Sequence, residues 1–293
     1  MKLHEFLFWT ALFLISAVFL VAQPMNARAG KVLNDGLATK PFGHHIWQEI
    51  ITQNLGATGE MNLINLRAHP ERLNQYLGQL KAVSPESHPD YFPTADDRLA
   101  YWINAHNALA LRLILNRYPA ETLADEQVFQ NETRYHMGQR PVSLAWIKQK
   151  VAEAHPRYPM VVLTLTDYTL SSPPLNSQAY QGATLRKQVA VFAQNTLQEG
   201  RLIQFDRSRT DCIGIKLSPI FRHYGLAPEA GEAEDQDRMA DPFEADSPSP
   251  AKTWADIIQP FAPPDIAANL GHQCTHSVEF LPPTTNLRQV QAL

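Results

Sequence analysis

The sequence predicts an α+β domain in which several helices surround one central buried helix and pack on a small, largely antiparallel sheet. Three observations predict it. Residues 94–117 are the one long helical segment whose apolar side chains cover most of the surface. Residues 45–55 and 71–80 have the helical spacing needed to pack on it. The runs 160–166, 201–205, 212–217 and 277–281 read as strands bounded by turn residues.

The central helix justifies itself residue by residue. Thr94 is a suitable N-cap, and Asp96 and Asp97 place negative charge at the positive end of the helix dipole. Arg112 and Arg117 lie near the other end, and Pro119 stops the helix. At about 100° per residue, Leu99, Trp102, Ile103, Ala110, Leu113 and Ile114 share a broad apolar arc with Leu111, while Arg98, Arg112 and Asn116 form one narrow polar stripe. His106 and Asn107 project into the apolar arc and Asn104 lies at its edge. An unpaired polar group there costs about 1 to 3 kcal/mol, so all three need partners. Either they bond the backbone of neighbouring loops, which is the favoured reading, or they line a site.

Ahead of this helix, residues 1–29 read as an export leader: an apolar run at 6–22, then Ala27-Arg28-Ala29 before Gly30 as a small-residue cleavage pattern. The run is near the lower length for spanning a bilayer and Lys2 is offset by Glu5, so an uncleaved anchor is the alternative. The expected location is periplasmic or secreted, with a linker at 30–43 and one domain at 44–290. Outside the cytosol Cys212 and Cys274 could be oxidised to each other, and either outcome is open. Between the first two helices, residues 56–70 read as an irregular or short extended link, and 84–93, with three prolines, as a loop.

Beyond the central helix come a short helix at 121–129, a hairpin at 135–142 turning at Gly138, and a helix at 144–154 capped by Ser143. Residues 160–166 are the clearest strand, and the turn-rich loop from Asp167 to Leu175 leaves its end, a common place for chemistry. Thr184 opens a helix ended by Gly200, and the strands 201–205 and 212–217 are followed by a helical turn at 218–224. Residues 227–250 hold eight carboxylates against Arg238 with almost nothing apolar to bury, and read as a mobile acidic insertion. Helices at 253–261 and 266–270 and a strand at 277–281 complete the order.

Charge is mixed at a net of −4 with no basic cluster, which removes nucleic acid as a partner. A membrane partner is expected only if the N-terminal segment is retained. The segment from His272 to His276, HQCTH, is the one dense group of soft ligands, yet no fourth ligand is announced, so a surface turn is preferred to a metal site. Ser171 and Ser172 lack a nucleophile elbow and suit ordinary turn chemistry. Asp167 could act as a general base if His106 or His223 approached it. No phosphate loop, dinucleotide fingerprint or zinc-protease motif is present, and no cofactor is expected.

The segment YWINAHNALALRLILNRYP at 101–119 resembles the YWINAYNALTL signature of the DUF547 family, a domain of unknown function. The likeness continues in SLAWIKQ at 143–149, the run ending in SSPPL at 160–175, KLSPIFRHYG at 216–225 and VEFLP at 278–282, so that it extends over about 45–287. The resemblance implies a cysteine at the end of the central strand and a histidine five residues earlier in many members, an arrangement that invites comparison with thiol hydrolases. Here those positions hold Asp167 and Val162, and a final Tyr-Asp-Trp is replaced by Pro283-Thr284-Thr285. All three departures remove reactive groups. The expectation is an exported binding or structural domain, with a small molecule, peptide or protein as its open class of partner. The alternative is a hydrolase-like enzyme using Asp167, His106 and Ser172.

Overall fold

The computed structural model describes residues 41–57, 59–119, 122, 128–132, 135–154, 157–208, 213–224, 254–271, 273–284 and 286–288. Its helices are α1 (His45–Asn54), α2 (Leu63–Ala68), α3 (Glu71–Ala82), α4 (Ala95–Arg117), α5 (Leu144–Ala152), α6 (Leu185–Gln198), α7 (Trp254–Ile258) and α8 (Pro264–Leu270). The strands are β1 (Tyr135–Met137), β2 (Arg140–Val142), β3 (Ile203–Asp206), β4 (Ile213–Leu217) and β5 (Gln273–Phe280). The fold is α+β, as its pattern of elements predicts.

Helix α4 is the expected centre. Thr94 caps it in a reciprocal box, its hydroxyl accepting from Asp97 N at 3.0 Å while the Asp97 carboxylate accepts from Thr94 N at 3.1 Å. Every residue from Leu99 to Leu111 is buried, which is possible because α2, α3, α5 and the tight turn Gly182–Thr184 all pack on it. Tyr101 ties α4 to α3 by donating to Val83 O at 2.8 Å. The hairpin β1–β2 turns at Gly138 and Gln139, both at positive φ, and a side chain on Gly138 would collide with Ser84 and Ser87.

The larger sheet has the order β3-β4-β5, with β3 antiparallel and β5 parallel to β4. It is therefore mixed. The hairpin β3–β4 has a short connection and must be antiparallel, whereas β5 returns after a long crossover that includes α7 and α8, which permits parallel pairing. Ile203, Ile215 and Leu217 carry its buried face into the core formed by the helices.

Four local expectations are corrected. Residues 160–166 are not a strand: Val161–Thr164 forms a 3-10 turn whose N–H groups bond locally, with Val161 N donating to Tyr158 O and Leu163 N to Met160 O. The segment is buried on all sides, and an apolar run with no exposed face carries no period that separates strand from buried helical turn. The link at 56–70 contains α2, capped by Asn62, whose side chain accepts from Asn65 N at 3.0 Å. Thr122 pairs with Asn286 in an antiparallel bridge, and Val128–Glu132 forms a π-helical turn, so the helix expected at 121–129 is not formed at these positions. The backbone from Gln273 is already part of β5 and no surface turn.

Other expectations fall outside the described residues: the leader, the linker up to residue 40, the acidic insertion at 227–250, Cys212, His272, and the side chains of His223, Cys274 and His276. Among the described residues no helix is long and apolar enough to cross a membrane.

Candidate functional site

Helix α4 delivers His106 and Asn107 to the irregular segment that runs from the Val161–Thr164 turn into the SSPPL loop. Asn107 donates from Nδ2 to Thr164 O at 2.9 Å and accepts at Oδ1 from Thr166 N at 3.1 Å. Asn104 does the same for Tyr180, donating to its O at 2.8 Å and accepting from its N at 3.0 Å. The two asparagines therefore bond loop backbone, in line with the favoured reading of their burial. Tyr168 closes the arrangement by donating its hydroxyl to Asn107 O at 3.0 Å. Its φ of 58° is uncommon for a bulky residue and places backbone strain of about 1 to 3 kcal/mol directly after Asp167.

His106 has no exposed surface, and its Nδ1 lies 3.2 Å from Asn107 Oδ1. That oxygen already accepts from Thr166 N, so Nδ1 carries the proton and Nε2 is left with its lone pair. Nε2 stands 3.8 Å from Asp167 Oδ1, and neither atom has a hydrogen-bond partner. The separation is too long for a hydrogen bond, and two acceptors facing one another do not form one. Burial and the Lys148 ammonium push His106 down to about 4 against the opposing pull of Asp167, leaving the imidazole neutral at pH 7.

Asp167 is held from the other side. Lys148 on α5 donates from Nζ to Oδ2 at 2.8 Å, and both side chains are largely enclosed, at 19% and 18% exposed. Burial alone would raise the Asp167 pKa, but Lys148 and His106 outweigh it and hold the carboxyl below its ordinary value. Asp167 is therefore ionised and Lys148 is its counterion. Gln130 is itself buried, and neither polar atom of its amide forms a hydrogen bond.

Ser172 does not join this group through hydrogen bonds. Its hydroxyl donates to Thr169 O at 3.0 Å and contacts Thr166 Oγ1 at 3.3 Å, while Ser171 is wired to Thr284 O at 3.0 Å. These are turn contacts, and none of them is to His106 or Asp167. Val162 is buried in the 3-10 turn. The expected trio thus reduces to a pair, His106 beside Asp167.

Lys148 and Gln130 are the members that sequence reasoning missed. Lys148 had a signal: it shares the apolar stripe of α5 with Leu144, Ile147 and Val151 at i, i+3, i+4 and i+7 spacing, a place where an ammonium needs a partner. Gln130 had none. Among the described residues no group of three or more histidine, cysteine or acidic side chains could hold a metal ion. The arrangement supplies a neutral imidazole lone pair and a neutralised carboxylate.

The class defined so far is an α+β domain with a buried polar centre at the end of an Asn-anchored loop. Residues 92–195 match the family model described as "Protein of unknown function, DUF547". The matched range runs from Phe92 before α4 to Asn195 within α6 and contains His106, Lys148, Asp167 and Ser172. It does not include the similar segments at 216–225 and 278–282. No curated protein and no solved structure matches the chain.

Proposed function

We propose that this chain is an exported DUF547-type domain that works by binding, with the family's reactive centre converted into an internal ion pair. The observation that carries the reading is the Lys148–Asp167 contact of 2.8 Å, at the position where the resemblance implies a cysteine in many members. A carboxylate neutralised by its own ammonium is a weak base and no thiolate, and a Val162 side chain offers no activation. The matched family adds a domain of unknown function and no reaction. The leader pattern at 1–29 and the Ala27-Arg28-Ala29 site support export.

A second reading draws on one specific feature, the unpartnered Nε2 of a neutral His106 at 3.8 Å from Asp167. In that reading His106 takes a proton from Ser172 or water, and Asp167 steadies the imidazolium. The hydrogen bonds of Ser172 to Thr169 and Thr166 favour the first reading.

A panel of ester, amide and peptide substrates, tested on purified protein and on Asp167→Asn, separates the two. The expected result is no turnover by either protein, with thiol probes labelling only cysteines. Hydrolysis by the wild type that vanishes in Asp167→Asn, at unchanged melting temperature, overturns the binding reading.

A further inference from the structure

Away from His106 and Asp167, a groove runs along one face of α6. Its wider part, about 530 Å³, lies between α6, the end of α1 and the loop after Pro174. A second part of about 410 Å³ continues toward the start of α6, and the two share Asn176, Ser177, Phe192 and Asn195. From Thr184 to Glu199 the wall advances fifteen steps along the chain, about 22 Å at the helical rise of about 1.5 Å per residue. Both volumes lie in the range of small-ligand sites, roughly 300 to 1,000 Å³.

The far wall is built to stay in place. Residues 177–181 have no strand neighbour, yet side-chain amides from three helices hold their backbone. Gln48 of α1 donates to Ser177 O at 3.1 Å and accepts from Ala179 N at 2.8 Å. Asn104 of α4 takes both backbone groups of Tyr180. Gln188 of α6 donates to Ala179 O at 3.0 Å and accepts from Gln181 N at 2.9 Å. A wall fixed before binding lowers the ordering cost that a ligand must overcome.

We infer that this groove binds a short extended peptide of about six or seven residues, a length set by about 3.3 Å per residue over the α6 wall. The inference rests on the binding reading above and names its ligand class. Asn176, Ser177 and Asn195 offer amide and hydroxyl groups to a peptide backbone, while Leu55, Leu175 and Phe192 give apolar contact to its side chains. Among the described residues no tryptophan or tyrosine face lines the groove for a sugar ring to stack upon, and the one cation there, Lys187, is too little for a nucleic acid or an anionic membrane. The charges set a direction. Lys187 and the start of α6 face the peptide's carboxylate end, and Glu199 and the end of α6 face its ammonium end. Arg201 stands 3.8 Å from Glu199, but the two are exposed and loosely paired.

The test is a selection of purified protein against a randomised heptapeptide library with free termini, followed by fluorescence-polarisation titration of the best peptide. Asn195→Arg, at an exposed position, should fold normally and weaken binding by at least about tenfold. Blocking both peptide termini should weaken it as well. Binding that persists in Asn195→Arg overturns the groove while leaving a binding domain. Selection of no peptide overturns the peptide assignment, and the substrate panel on Asp167→Asn still decides catalysis independently.

Discussion

Asn107 and Asn104 do for two irregular segments what a neighbouring strand does in a sheet, each giving one donor and one acceptor to backbone that has no ladder of its own. Asn107→Leu puts an apolar side chain of similar branching in an apolar setting but strands Thr164 O, Thr166 N and the His106 Nδ1 proton, so it should lower stability by about 1 to 3 kcal/mol. Urea unfolding measures this, and an unchanged midpoint would show that the amide bonds are dispensable. The burial of both asparagines was legible from the helical wheel of residues 94–117. Their partners were not, since they lie 57 and 76 residues away in the chain, beyond the reach of any local pattern. Asp167 behaves in a related way. Its low pKa depends on Lys148, and in Lys148→Met the effect of burial should dominate and the carboxyl pKa should rise. Carbon NMR titration of the labelled carboxyl reads the shift directly, and a pKa that stays low would place the stabilising charge elsewhere.

At the scale of elements, α4 depends on a close approach that its own sequence does not announce. Gly182 in the turn before α6 sits against the capping box, and a Cβ there would lie 2.0 Å from Asp97 Oδ1 and 2.8 Å from Asp97 Cα. Because the second contact is backbone, rotation of a side chain does not relieve it, and Gly182→Ala should cost about 1 to 3 kcal/mol. Gly78, exposed within α3, has nothing within 4 Å of its would-be Cβ, and Gly78→Ala should instead stabilise by about 0.5 to 1 kcal/mol. Paired melting curves check both signs at once. The helices were legible because caps and one-sided periodicity survive in sequence: Thr94, Ser143 and Gly200 stand where a cap or a stop was expected. The 3-10 turn at Val161–Thr164 was hidden for the opposite reason, since burial on every face erases periodicity. The ion pair of Lys148 with Asp167 joins α5 to the loop and was hidden because it is a tertiary fact about two elements, each ordinary alone.

For the whole molecule, the proposed export leader at 1–29 predicts a mature start near Gly30, and mass spectrometry of the native protein decides it, recovery of residues 1–29 in a membrane fraction pointing to an anchor instead. Acid stability follows from the core itself. His106 is buried against α5 and the Asp167 loop, and His44 is buried beneath α3, its Nδ1 2.8 Å from Tyr76 OH. Burial lowers His44 from 6.5 to about 3, with Asp97 opposing and His45 assisting, and lowers His106 to about 4. Between those values and 6.5 the unfolded chain binds protons at both positions and the folded chain does not. The unfolded state therefore binds more protons as pH falls, and stability must decline below pH 6.5, with a slope approaching about two protons. Asp167 acts in the same direction at lower pH, because its folded pKa lies below the ordinary 3.8 and its stabilising ionisation is lost as the pH falls through it. Melting temperature should be level above about pH 7 and fall steadily from about pH 6.5 to 4.5, and His106→Gln should remove roughly half of that slope. A melting temperature that stays level down to pH 4.5 would mean that both histidines take up protons while folded, which contradicts their burial.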